Sequence, residues 1–280
     1  MTIADAHVHL FSTGFAGVAG GPPAGEDELG AYERLRTNYG IVRALVIGYE
    51  AEARYAGNSD YVLRLAAERP WIAPLVFVRA AASPPLQMLR ELRESGAAGV
   101  AIYASDEHEG RAIAEWPRTV LEELRCQRAL ISLNVRPRAT AALGTFVAGL
   151  DGCPILFSHL GLPGPRQAAP TLDDARAELA PLLALSRRQH VVVKFSAPYA
   201  ISDPGHAFPH LAAGPFVEVL LEAFGPKRLV WGSDFSPALD YVSFAQTLDT
   251  RLLAHCTTPE IEAVMGANLL RLLGDPEGHE

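Results

Sequence analysis

Residues 191–196 read Val-Val-Val-Lys-Phe-Ser, a short apolar run that turns polar at its end. A strand with one face in water alternates apolar and polar residues, whereas a continuous run of this length is how a strand covered on both faces reads. Seven more runs of the same kind lie outward from it in both directions: Ile3 to Leu10, Ile41 to Tyr49, Ile72 to Arg79, Gly99 to Ala104, Ala129 to Val135, Pro154 to Leu160 and Leu229 to Asp234. Between them lie segments with helical spacing or good helix formers, such as EDELGAYERLRTN, PLQMLRELRESG, TVLEELRCQ, LDDARAELAPLLALSRR, PFVEVLLEAFG and YVSFAQTLDTRLLAHC. Strand and helix alternate eight times. Eight such units in roughly 250 residues match a (β/α)8 TIM barrel better than a doubly wound sheet. The expectation is one α/β barrel domain over residues 1–280. The stretch from Thr258 to Leu273 has Thr257 or Thr258 as N-cap and Gly274 as a stop, and is expected as an extra C-terminal helix packed outside the sheet.

Composition removes several classes of function. The chain has 280 residues, 49% hydrophobic and 20% charged, so it buries a large core and is not a disordered segment. Its 24 Lys and Arg against 32 Asp and Glu give a net charge of −8 with no basic cluster, which argues against a nucleic-acid partner. Cys126, Cys153 and Cys256 are far apart and form no C-x-x-C, so neither a disulfide framework nor a zinc knuckle is read, and the thiols suit a reducing compartment. The N-terminal sequence lacks a basic segment followed by an apolar one, and no run approaches the ~18 apolar residues of a membrane helix. A cytoplasmic location without membrane contact is the expectation. The Gly-rich stretch at residues 13–25 does not fit a dinucleotide fingerprint and reads as a mobile loop at the barrel mouth.

In such a barrel the chemistry gathers at the C-terminal ends of the strands. Those ends are polar here: Asp5, His7 and His9 on the first strand, Arg79 on the third, Tyr103 on the fourth, Asn134 and Arg136 on the fifth, Ser158 and His159 on the sixth, Lys194 and Ser196 on the seventh, Ser233 and Asp234 on the eighth. His7 and His9 are two apart, so both imidazoles project to one face of a strand. The eighth strand closes against the first and brings Asp234 beside them, with His159 across the axis. Three imidazoles and a carboxylate around one point suit Zn²⁺, Mn²⁺, Fe²⁺ or Co²⁺ with a position left open for water.

The strings DAHVHL, FSHLG, VVVKFS and WGSDF, in that order, together with the closing TPEIEAVMGANLLRLLG, resemble the landmarks of the amidohydrolase superfamily. The resemblance is to the branch holding metal-dependent hydrolases, sugar and pyrone lactonases and ACMSD-like decarboxylases, and spans almost the whole chain. It implies His7, His9, His159 and Asp234 as metal ligands, with Asp234 and His159 catalytic. Two departures stand out. Asn134 lies where many members place a metal-binding histidine on the fifth strand, as the lactonase branch also lacks it, and Ser236 separates Pro237 from its usual place. No lysine on the fourth strand can bridge two ions, so one divalent metal is expected, zinc foremost, and a metal-free lactonase stays open. Members of this branch often dimerise, which makes a homodimer an open expectation.

The expected activity is a metal-dependent hydrolase whose activated water attacks the carbonyl of a small lactone, ester or amide, carboxylated if the arginines serve it. Non-oxidative decarboxylation of an aromatic or enol acid at the same site is the alternative, and a non-catalytic barrel kept for binding is the remaining one. Asp234 is expected as general base. His159, if it is not a ligand, is expected to hold the developing oxyanion. Lys194, Tyr103, Asn134, Arg79 and Arg166, with Arg136, are the candidate substrate-binding residues, since an arginine fork suits a carboxylate. All but Asn134 have a bland alternative: a surface charge for the arginines, barrel filling for Tyr103, and an ion pair with Asp5 or Asp234 for Lys194. The segment from Ala197 to Gly214 contains His206 and His210 and reads as a lid or, more simply, a solvated loop. His108, His190, His255 and His279 have no partner spacing.

Overall fold

The computed structural model describes residues 1–275; His279 lies outside them. Eight parallel strands follow one another in chain order: β1 (Ile3–Val8), β2 (Ile41–Ile47), β3 (Ile72–Arg79), β4 (Gly99–Ala104), β5 (Leu130–Val135), β6 (Ile155–Phe157), β7 (Val191–Ser196) and β8 (Leu229–Gly232). The ring closes between β8 and β1 through a parallel bridge of Val8 with Phe235 and a hydrogen bond from Asp234 N–H to the His7 carbonyl, 2.9 Å. Helices between the strands form the outer layer, and the expected TIM barrel is what the chain builds.

Side-chain alternation sorts each strand into an outer and an inner set. The inner set is small and apolar at the N-terminal end of the barrel, with Ala4, Ala6, Leu45, Ala73, Leu75, Ala101, Leu130, Leu156, Val192 and Val230 forming one cluster. Continuing by twos toward the C-terminal end reaches Tyr49, Phe77, Arg79, Tyr103, Ser132, Asn134, Lys194 and Ser196. The barrel thus passes from an apolar floor to a polar rim.

Strand β1 would break this pattern without a register shift. From Asp5 to Val8 it advances three residues while β2 advances only from Ala44 to Val46. The extra residue is a β-bulge, which switches side-chain parity. Asp5 consequently faces the helical layer, while His7 and His9 face the axis.

Two helical expectations change. YVSFAQTLDTRLLAHC forms only the short helix Phe244–Thr247 and a single turn at Arg251–Leu253. The Thr247 carbonyl, which a continuous helix would use internally, accepts from the Trp231 indole at 2.7 Å. The Asp249 carboxylate meanwhile takes the Arg251 N–H at 2.8 Å, a local bond that competes with helix. The C-terminal helix forms in three parts, Thr258–Glu262, a π-helical Ala263–Ala267 and Asn268–Leu273, with Thr257 in a capping box. Instead of lying outside the sheet, it seals the barrel floor, where Leu269 and Leu270 join the interior cluster. Gly266 permits this, because a Cβ there would stand 2.0 Å from the Thr2 carbonyl oxygen.

No helix among the described residues is long and apolar enough to cross a membrane. The Gly-rich loop after β1 lies at the mouth, as read, but is held in place: Ala16 N–H donates to the Tyr55 hydroxyl at 3.0 Å and Val18 N–H to Asp240 at 3.1 Å. Buried Glu28 anchors the same loop by accepting from Phe11 and Phe15 N–H, each at 2.7 Å, and from the Ser236 hydroxyl. Ser236 therefore ties the loop after β8 to the loop after β1.

Candidate active site

His7, His9 and Asp234 meet at the barrel rim, all buried, each offering one ligand atom with every such atom within 4.8 Å of the others. The Nε2 atoms of the two histidines are 3.1 Å apart. Asp234 Oδ1 lies 3.6 Å from His7 Nε2 and 3.9 Å from His9 Nε2. His9 Nδ1 sits 3.3 Å from the Ile47 carbonyl, which can only accept, so Nδ1 carries the proton and the Nε2 lone pair points into the site. This orientation of a ligand by a neighbour's carbonyl is the arrangement metal-binding histidines use. Two imidazoles and a carboxylate are a donor set that fits Zn²⁺ or a similar divalent ion.

His159 stands beside this group rather than in it. Its ring centroid is 4.5 Å from that of His7, and its Nδ1 lies 3.0 Å from Ser196 Oγ. The fourth ligand anticipated from the sequence is thus absent from the close donor group.

Lys194 pairs with neither Asp5 nor Asp234. Fully buried, its Nζ donates to Ser132 Oγ at 2.7 Å and lies 3.0 Å from His7 Nδ1. It holds the His7 ring in place from behind. Asp5 is occupied as well: Oδ1 accepts from His7 N–H at 3.1 Å and Ser233 N–H at 2.8 Å, and Oδ2 accepts from the Tyr32 hydroxyl at 3.0 Å. It is a seam between β1 and β8.

Burial governs the proton affinities here. Desolvation pushes the Asp234 carboxyl up to about 7, against the Tyr199 hydrogen bond and the Lys194 charge, which both pull it down. It pushes His9 down to about 4 and His159 to about 3, with the Lys194 charge adding to both. Lys194 itself is lowered to about 7, again chiefly by desolvation. The imidazoles are therefore neutral at neutral pH, as ligands must be.

Backbone conformation marks the same place. His159, Ala197 and Asp234, each just past the end of β6, β7 or β8, have φ of 52°, 48° and 57°. Non-glycine residues pay roughly 1–2 kcal/mol each for this left-handed region, and such strain gathers at functional sites.

Next to the His7, His9 and Asp234 group opens a cleft of about 480 Å³ lined by Tyr49, Phe77, Arg79, Tyr103, Asn134 and Arg136, among others. Tyr49 bridges the two regions, its ring 6.1 Å from that of His9 and 5.1 Å from that of Tyr103. The Tyr103 hydroxyl is buried without a hydrogen-bond partner among the described residues. Arg79 and Arg136 form no ion pair among the described residues. Arg166 is elsewhere: its guanidinium pairs with Glu178 and lies 5.5 Å from the Phe216 ring. His210 is buried rather than solvated, at 4% exposure.

The model of the amidohydrolase family Amidohydro_2 matches residues 4–274. The chain belongs to that family. Members of the amidohydrolase family are enzymes, hydrolases with some decarboxylases among them. No curated protein matches the chain. Solved structures share the amidohydrolase barrel. One is an amidohydrolase from Burkholderia multivorans with bound zinc (20% identity, 98% of this chain and 99% of that one, TM-score 0.75). Another is a candidate 2-pyrone-4,6-dicarboxylic acid hydrolase from Pseudomonas putida (22%, 98% and 98%, TM-score 0.72). A third is 5-carboxyvanillate decarboxylase from Sphingomonas paucimobilis (12%, 97% and 98%, TM-score 0.60). At these identities the likeness is one of fold.

Sequence reading missed two side chains that hydrogen-bond to the candidate site residues. The Tyr199 hydroxyl donates to Asp234 Oδ2 at 2.5 Å, and Ser132 supports Lys194. For Ser132 a signal existed, since it shares strand parity with Asn134. Tyr199 lies in a segment without regular period and left none.

Proposed function

We propose that this amidohydrolase is a metal-dependent hydrolase that opens a small carboxylated lactone, ester or amide. The observation that carries the reading is the juxtaposition of His7, His9 and Asp234 with a cleft holding two arginines that form no ion pair among the described residues. A divalent cation, zinc foremost, would lower the pKa of a water from 15.7 to roughly 7 and so supply a nucleophile at neutral pH.

The chain's own residues do the rest. His7 and His9 would hold the ion through Nε2 and Asp234 through Oδ1. Asp234 is also the general base, because among the described residues no other carboxylate joins the two histidines. In this role it would take a proton from water and return it to the leaving oxygen or nitrogen. His159, neutral and fixed by Ser196, would stabilise the charge that develops on the carbonyl oxygen. Arg79 and Arg136 take the substrate carboxylate, since guanidinium forks suit it bidentately. The buried Tyr103 hydroxyl and the Asn134 amide complete polar contacts that a bound substrate would satisfy.

Decarboxylation is the second reading, supported by the shared fold with 5-carboxyvanillate decarboxylase. It ranks below hydrolysis because Asn134 lines the cleft where the resembling decarboxylases carry a histidine. A metal-free lactonase would leave Asp234 to activate water by itself. Metal analysis of protein purified without added metal, with a panel of carboxylated lactones, esters and amides assayed for acid release and carbon dioxide, separates the three. Bound metal and acid release without carbon dioxide are expected. Carbon dioxide evolution would replace hydrolysis by decarboxylation, and full turnover after chelation would remove the metal.

A further inference from the structure

The two oxygens of Asp234 are not equivalent. Oδ1 faces the histidine pair, whereas Oδ2 accepts the short hydrogen bond from Tyr199. Tyr199 belongs to the single turn Pro198–Ile201, which follows the left-handed Ala197 immediately after β7. The ring is buried and stacks on Tyr241 with centroids 4.9 Å apart and planes 16° from parallel. The phenol hydroxyl is the donor in this bond. A donor on a carboxylate makes a strong, charge-assisted bond, and a stacked ring cannot readily swing away from it.

We propose that Tyr199 is a positioning residue that occupies Oδ2 and thereby commits Asp234 to meet a cation with Oδ1 alone. This rests on the reading of Asp234 as a metal ligand. A free carboxylate can bind a cation with one oxygen or both. With Oδ2 held back, a position stays open beside the histidines, which a catalytic site needs and a closed structural site lacks. Neighbours that orient a ligand commonly change metal affinity 10–100-fold when removed.

The test compares the parent with Tyr199→Phe, which keeps the ring and its stack but removes the donor. Both proteins are loaded with Co²⁺, their visible absorption spectra recorded, and their Zn²⁺ affinities titrated, with thermal unfolding as a control for folding. The expected result is a changed Co²⁺ spectrum together with a 10–100-fold change in Zn²⁺ affinity in a variant that melts as a folded protein. Superimposable spectra and equal affinities would overturn the proposal and leave the metal reading standing. If the parent takes up neither Co²⁺ nor Zn²⁺, the metal reading falls and takes this inference with it. Should Tyr199→Phe fail to fold, Tyr241→Leu, which loosens the ring and spares the hydroxyl, decides: a shift in the same spectrum supports the proposal, and an unchanged spectrum overturns it.

Discussion

His7 Nε2 lies 3.6 Å from Asp234 Oδ1, although one residue begins the barrel and the other ends it. The contact exists because β8 closes on β1, with Asp5 clamping both His7 and Ser233 at the seam. Barrel closure and assembly of the site are therefore one event.

Removing either histidine should remove the metal. His7→Ala and His9→Ala proteins are expected to carry less than a tenth of the parental metal and to lose the rise in melting temperature that added Zn²⁺ gives the stripped parent. A ligand at 100 times its Kd stabilises by about 2.7 kcal/mol, a shift calorimetry resolves. Undiminished metal in either variant would relocate the site.

Zn²⁺ affinity should depend on pH through Asp234. Its carboxyl is raised to about 7 in the metal-free protein, so below that pH an entering cation must displace a proton. Affinity is expected to fall about tenfold per pH unit as pH drops below 7. A flat titration between pH 5 and pH 7 would show that Asp234 is already ionised there.

Asp234→Asn should abolish turnover and stabilise the metal-free protein in alkali. A raised acid pKa contributes stability that is present at low pH and lost as pH rises through about 7, where the buried charge appears. The amide carries no such charge, and a gain on the order of 2 kcal/mol at pH 8 is expected by denaturant titration. Retained activity would mean the general base is another group.

Asp5→Ala should destabilise without touching the substrate. It leaves the His7 and Ser233 N–H groups and the Tyr32 hydroxyl without an acceptor, each costing about 1–3 kcal/mol where water cannot reach. A loss of about 3 kcal/mol or more is expected by chemical denaturation. A melting temperature within a degree or two of the parent would show that the seam is held by backbone alone.

Arg136→Ala and Arg79→Ala should raise KM for a carboxylated substrate about tenfold, with metal content unchanged and little effect on an uncharged analogue. Equal losses on both substrates would show that the arginines shape the cleft without binding the carboxylate.

What the chain discloses unaided is whatever follows from local pattern. Continuous apolar runs such as Val191–Val193 mark strands buried on both faces, and a period of two places His7 with His9 and Ser132 with Asn134. Order along the chain does the rest, since the polar ends of consecutive parallel strands must meet at one rim. The tertiary structure alone decided what depends on partners distant in sequence. The bulge between Asp5 and Val8 set which face of β1 turns inward, Glu178 and Phe216 drew Arg166 away from the cleft, and the Trp231 indole ended a helix that Phe244 to Cys256 would otherwise continue. Tyr199 reached Asp234 from a segment with no period at all. Hydrophobic burial repeats with the geometry of the backbone and so is written in spacing, whereas a hydrogen bond between two side chains depends on where the whole fold places them, which no short window of residues contains.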